Sequence, residues 1–115
     1  MMALYYNLSK VYSISESDDD FVNQIATLFV SEVPLDMIQM KRGIEEQEYK
    51  TAYAAAHKIK PTLDLLGMTV AFEETVFIEE WTKREGKRKE IKETFKSLES
   101  HIEKAVKEIK KDFGL

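Results

Sequence analysis

Ile91, Phe95, Leu98, Ile102, Ala105 and Ile109 follow one another at gaps of three and four residues. A side chain returns to the same side of an α-helix every 3.6 residues, so this stripe marks one face of a helix about five turns long. The residues between are mostly lysine and glutamate. A helix with one apolar face is marginal alone in water and has to bury that face against other elements. The rest of the chain must therefore supply matching apolar surface.

It supplies it mainly as further helices. Leu4, Tyr5, Leu8, Val11 and Tyr12 recur at helical gaps, which predicts a short helix over roughly residues 7–12, with a loop from Ser13 to Ser17. Ser17 is a candidate N-cap for the next helix, and Asp18, Asp19 and Asp20 sit where the helix dipole favours negative charge. Phe21, Ile25, Leu28 and Phe29 are its expected stripe. Pro34 is expected to end or kink that helix and to start another, since proline is tolerated in a first turn but not in an interior. Leu35, Ile38, Met37 and Met40 are then expected to face inward, with Ile44 near the end. The polar run Glu45-Glu46-Gln47-Glu48 leads into a helix over about 49–66. Thr69 to Lys83 forms another, with Val70, Phe77 and Trp81 on one face, and the last helix runs from about Lys87 to Asp112. Only four glycines and two prolines occur in 115 residues, which leaves little material for turns and favours long helices. The expected fold is all-α, an antiparallel up-and-down four-helix bundle with a short additional N-terminal helix, in one domain over residues 1–115.

Charge and composition narrow the function classes. A net charge of -4 argues against nucleic acid as a main partner. Without cysteine there can be no disulfide, thiolate metal site or cysteine nucleophile. No apolar run approaches the roughly 18 residues of a membrane span, and Met1-Met2-Ala3-Leu4-Tyr5-Tyr6 lacks the pattern of a secretory signal. The expected location is the cytoplasm. Carboxylate-bridged metal bundles use a Glu three residues before a His, and here those positions hold Ala54 and Leu98, so no metal site is expected. The basic cluster from Lys83 to Lys92 is read as a solvated turn.

The chemistry gathers in Ala54-Ala55-Ala56-His57-Lys58-Ile59-Lys60-Pro61-Thr62-Leu63-Asp64-Leu65-Leu66-Gly67. Tyr49, Ala52, Tyr53, Ala56, Ile59, Leu63 and Leu66 form the buried stripe, and His57 flanks it. Tyr53 and Pro61 lie one turn on either side of His57. Lys60 falls on neighbouring helix surface and Lys58 is adjacent. A neutral imidazole is a nucleophile, with an unperturbed pKa near 6.5, and nearby ammonium groups would offset the charge of a phosphoryl group it accepted. Pro61 removes an amide donor and crowds the carbonyl of His57, so a kinked but continuous helix is expected there. Gly67 suits the left-handed residue that stops it. His101 lies among acids and reads as an ordinary surface residue.

Ala56-His57-Lys58-Ile59-Lys60, followed by Thr62 and closed by Leu66-Gly67, resembles the histidine-containing phosphotransfer (HPt) domain of multistep phosphorelays. The family pattern is close to Ala-His-x-Leu/Ile-Lys-Gly-Ser-x-x-x-Leu-Gly. Thr62 stands where Ser is usual, and Pro61 departs from the usual Gly. The resemblance covers most of the chain from Leu8 onwards. It implies a monomeric covalent phosphocarrier without kinase activity of its own. His57 would take a phosphoryl group from a receiver-domain aspartate and pass it to another receiver. Lys60 and Lys58 would offset phosphate charge, and Thr62, Pro61, Gly67 and Tyr53 would serve docking or support. The expected partners are response-regulator receiver domains and a hybrid histidine kinase. No cofactor is expected on this chain, and Mg²⁺ is expected on the receiver. The alternatives are a module that binds receivers without transfer and a structural helical bundle.

Overall fold

A computed structural model describes residues 3–115. Met1 and Met2, part of the leading segment read above for a secretory signal, lie outside the described residues. Five helices occur in order: α1 (Ser9–Ile14), α2 (Asp19–Glu45), α3 (Tyr49–Leu65), α4 (Thr69–Lys83) and α5 (Arg88–Phe113). No strand occurs among the described residues. α2 and α5, at 27 and 26 residues, account for the long dimension of 43 Å, since each residue adds about 1.5 Å of rise.

The stripe of α5 is buried throughout, from Ile91 to Ile109. α5 packs against α2 and α4, and α3 packs against the same two helices from the other side. α2 and α3 come closest at Gly43, where a β-carbon would lie 2.6 Å from the Ala52 backbone nitrogen. Trp81 of α4 is fully buried and donates from its indole nitrogen to the Lys87 carbonyl at 2.9 Å. Tyr49 closes the same corner by donating to the Gly86 carbonyl at 2.8 Å. At the other end the N-terminal segment crosses the helices. The Asn7 amide donates to the Leu66 carbonyl at 2.7 Å, and the Tyr6 hydroxyl donates to Asp112 at 2.7 Å. Burial, together with that carboxylate, pushes the Tyr6 phenol well above its ordinary pKa.

Expectations about two helices, α2 and α4, are overturned. Pro34 neither ends nor starts a helix, because α2 runs through it without a break. Val22, Ala26, Phe29, Val33, Met37, Met40 and Ile44 are buried in one unbroken phase, at gaps of three and four. Pro34 costs roughly 3 kcal/mol in a helix interior. Each large apolar side chain of the stripe returns about 1.5–3 kcal/mol on burial, so the stripe wins. Continuity turns Leu28, Leu35 and Ile38 outward, not inward. The N-cap is Asp18 instead of Ser17, its carboxylate accepting from the amides of Asp20 and Phe21.

α4 is out of phase with its hydrophobicity. Val70 and Phe77 are exposed, while Ala71, Thr75, Ile78, Glu79 and Thr82 join Trp81 inside. Polar side chains can occupy the inner face because each finds a partner. Thr75 donates to the Ala71 carbonyl at 2.8 Å, and Thr82 donates to that of Glu79 at 2.6 Å. Glu79 finds its partners across the helix interface.

Candidate functional site

α3 holds His57 near its middle and continues through Pro61 to Leu65. Leu66 caps it and Gly67 follows at φ +64°, in the left-handed region that suits glycine. A helix interior gives His57 a fixed backbone, and its position on the flank of the buried stripe leaves the side chain 63% exposed. The expected placement of His57 beside, rather than within, the core is what the structure has.

The ring is not free to wander. Its Nδ1 lies 3.0 Å from Glu79 Oε2 of α4. The Glu79 side chain is only 6% exposed. A carboxylate can only accept, so Nδ1 carries the proton and donates. In the neutral ring the lone pair is then on Nε2, away from the anchored edge. The other Glu79 oxygen, Oε1, is held by the Lys60 ammonium at 2.7 Å. Tyr53, one turn before His57, lies nearly parallel to the imidazole, with centroids 5.6 Å apart and planes at 12°. Lys83 Nζ sits 5.6 Å from the Tyr53 ring centroid, and Lys60 Nζ sits 6.0 Å from that of Phe72.

These contacts interlock two helix faces. Phe72, Val76, Glu79 and Lys83 step by four, three and four along α4. Tyr53, His57 and Lys60 step by four and three along α3. Lys83 meets Tyr53 and Glu79 meets His57, so the two helices run in opposite directions. The result is an exposed imidazole held from one side by a buried anion whose charge is already offset.

The other residues expected at the site are dispersed. Lys58 points the other way and pairs with Asp36 of α2 at 3.2 Å. Pro61 is exposed one turn beyond His57. Thr62 is five positions from His57, about 140° around the helix. Gly67 stands at the far end of α3, where a β-carbon would meet that of Asn7 at 2.8 Å. It therefore supports the helix end and the N-terminal crossing rather than the ring.

Glu79 and Lys83 are the members that sequence reasoning missed. Neither carries a signal in the sequence: the inward series Ala71, Thr75, Ile78 and Thr82 runs against the hydrophobicity of α4, so the burial of Glu79 beside it follows only from packing. His101 was read as an ordinary surface residue and is not one. It is half-buried, with Nδ1 2.8 Å from Glu74 Oε1 of α4. Among the described residues no group of His, Asp and Glu side chains converges as a metal site. Nor is any described helix long and apolar enough to cross a membrane.

Comparison of the chain with models of protein families, with curated proteins and with solved structures finds no match.

Proposed function

We propose that the protein is a phosphorelay intermediate in which His57 carries the phosphoryl group. The observation that carries this reading is the pairing of a 63% exposed imidazole with a buried carboxylate on its Nδ1. The Nε2 lone pair attacks the phosphorus of an aspartyl phosphate on a receiver domain. The bond from phosphorus to the aspartate oxygen breaks, and the aspartate leaves as a free carboxylate. The ring gains positive charge as the nitrogen–phosphorus bond forms, and Glu79 lies where it offsets that charge. The same arrangement in reverse delivers the group to a second receiver. No general base is needed, because Nε2 has no proton to lose.

Lys60 serves this step through Glu79. With Lys60 2.7 Å from Oε1, part of the Glu79 charge is offset, so an approaching dianionic phosphoryl group meets less repulsion while Glu79 still faces the ring. Lys83, beside Tyr53, supplies the outer cation that Lys58 was expected to be. Catalysis is then positioning plus electrostatics, as is usual for phosphoryl transfer. The receiver brings Mg²⁺ and the activated phosphate. Receiver domains and a hybrid histidine kinase are the partners in this reading, with the protein a cytoplasmic monomer. The antiparallel four-helix bundle with a short leading helix is the fold that goes with it, supported by the packing of α2 and α4 against both α3 and α5.

The test is incubation of the protein with a phosphorylated receiver domain. Acid-labile, alkali-stable label is expected, and none on His57→Gln. Label that survives in His57→Gln would reject the carrier. Stable binding without transfer would make the protein a tether for receivers.

A further inference from the structure

The seam between α2 and α5 has no role in the transfer just described. Two shallow cavities open along it, of about 420 Å³ and about 520 Å³. Both are lined by Lys41 and Glu99, so they adjoin at those two side chains and together make a groove in two segments. It extends along α5 from Arg88 to Lys110, about 33 Å at 1.5 Å per residue. Its floor is apolar. Ile44 and Phe95 lie buried at one end, and Pro34 and Val106 are half-buried at the other beside the exposed Ile38.

The rim is cationic. Lys41, Arg88, Lys89, Lys92 and Lys96 border the first cavity, and Lys107 and Lys110 border the second. Three carboxylates, Glu45, Glu99 and Glu103, stand among them. The groove thus carries a formal charge of +4 on a chain whose net charge is -4. Among the described residues none of these seven cations is in an ion pair. Arg88 alone is engaged, donating to the Glu45 backbone carbonyl at 3.0 Å.

We propose that this groove docks an acidic amphipathic helix of a partner protein. Length, floor and rim each limit the occupant. A compact anion would satisfy the rim but leave the floor uncovered. An apolar helix would cover the floor while desolvating unpaired cations, which is costly. A helix of about six turns with an apolar stripe flanked by Asp and Glu satisfies both, in the manner of helix-in-groove recognition. α5 packs on α2 and α4, while His57 lies on α3, the helix across from it. The two surfaces can therefore be occupied together, and this proposal stands whether or not His57 carries phosphate.

The probe is a labelled synthetic peptide of about 22 residues, Leu at heptad a and d positions and Glu-rich elsewhere, followed by fluorescence anisotropy on the full chain. Binding is expected at about 50 mM salt and should weaken steeply towards about 500 mM. A peptide of the same composition with its stripe scrambled should bind about tenfold more weakly or worse. The double reversal Lys92→Glu/Lys96→Glu should also weaken binding by about tenfold or more. Ile38→Asp alters an exposed side chain, so it should weaken binding with the helical circular dichroism intact. Equal binding of the scrambled peptide, or no effect of the charge reversal, would overturn the proposal. So would a preference for an oligonucleotide or for anionic vesicles over the peptide. Self-association of the chain through this groove, seen by sedimentation and lost in the same reversal, would also overturn it.

Discussion

The chain contains two histidines, and α4 reaches both with a glutamate. His57 of α3 meets Glu79 at 3.0 Å, and His101 of α5 meets Glu74 at 2.8 Å. Distance alone would not tell them apart. The surroundings do. Glu79 is 6% exposed, is gripped a second time by Lys60, and anchors a ring that is 63% exposed and stacked on Tyr53. Glu74 is 15% exposed and His101 37%. One pair puts its anion inside and its imidazole outside, while the other leaves both groups part-way out. A deeply placed anion orients a ring without competing for whatever approaches it. A half-exposed pair is a modest tie between two helices.

The largest effect expected from this difference is at His57, the proposed phosphoryl carrier. His57→Gln should abolish phosphoryl transfer while lowering unfolding free energy by about 1–2 kcal/mol, because the ring is mostly in solvent but donates to the buried Glu79. Urea unfolding and the label assay measure the two quantities separately. Glu79→Gln comes next. It retains the shape but loses the charge that orients and offsets the ring. Transfer should fall by about 10–100-fold, the range seen when a carboxylate that orients a metal-bound imidazole is removed, which is the same orienting contact. Glu74→Gln should leave transfer unchanged. Equal loss from both would mean that burial of the anion is irrelevant, and the comparison would fail.

Lys60→Ala should affect both stability and rate. Removing it leaves Glu79 with the imidazole as its sole partner among the described residues. Removing one partner of a buried ion pair costs about 3–5 kcal/mol, and the imidazole that remains on Glu79 puts this loss at the lower end. Transfer should slow as well, since the incoming phosphoryl group then faces an uncompensated negative charge. Restoring the cation with Lys60→Arg should recover part of both. Loss of stability with an unchanged transfer rate would make Lys60 a purely structural support for Glu79.

How much of this was legible in the sequence depended on how many forces acted on each stretch. α5 was legible from Ile91 to Ile109 because hydrophobicity and helix period agree there, with nothing opposing them. α2 was misread at Pro34, where a local backbone cost was weighed without the stripe that outweighs it. Carrying the phase of Val22, Ala26 and Phe29 through Pro34 leads directly to Met37, Met40 and Ile44. α4 was misread because Thr75, Glu79 and Thr82 are inward residues whose polarity suggests the opposite. Their burial depends on partners, and Glu79 has its partners 19 and 22 positions away in the chain. Sequence neighbours therefore located His57 and its flank, while the residue that orients it could only come from packing.

The smallest expected effect gives the sharpest contrast. His101→Gln removes a hydrogen bond between α5 and α4 that has the same length and chemistry as the one at His57. Both partners are partly exposed, so water replaces much of what is lost. The stability change should stay within about 1 kcal/mol. Transfer to His57 should be unaltered, because nothing that contacts His57, Glu79, Lys60 or Tyr53 includes His101. A fall in transfer would mean that α4 couples the two glutamates and shifts along its axis when either is released. Measuring transfer in His101→Gln and in the double variant His101→Gln/Glu79→Gln separates these outcomes. Independent sites give effects that add within about 0.5 kcal/mol of activation free energy, whereas a sliding α4 gives a double variant that departs from that sum.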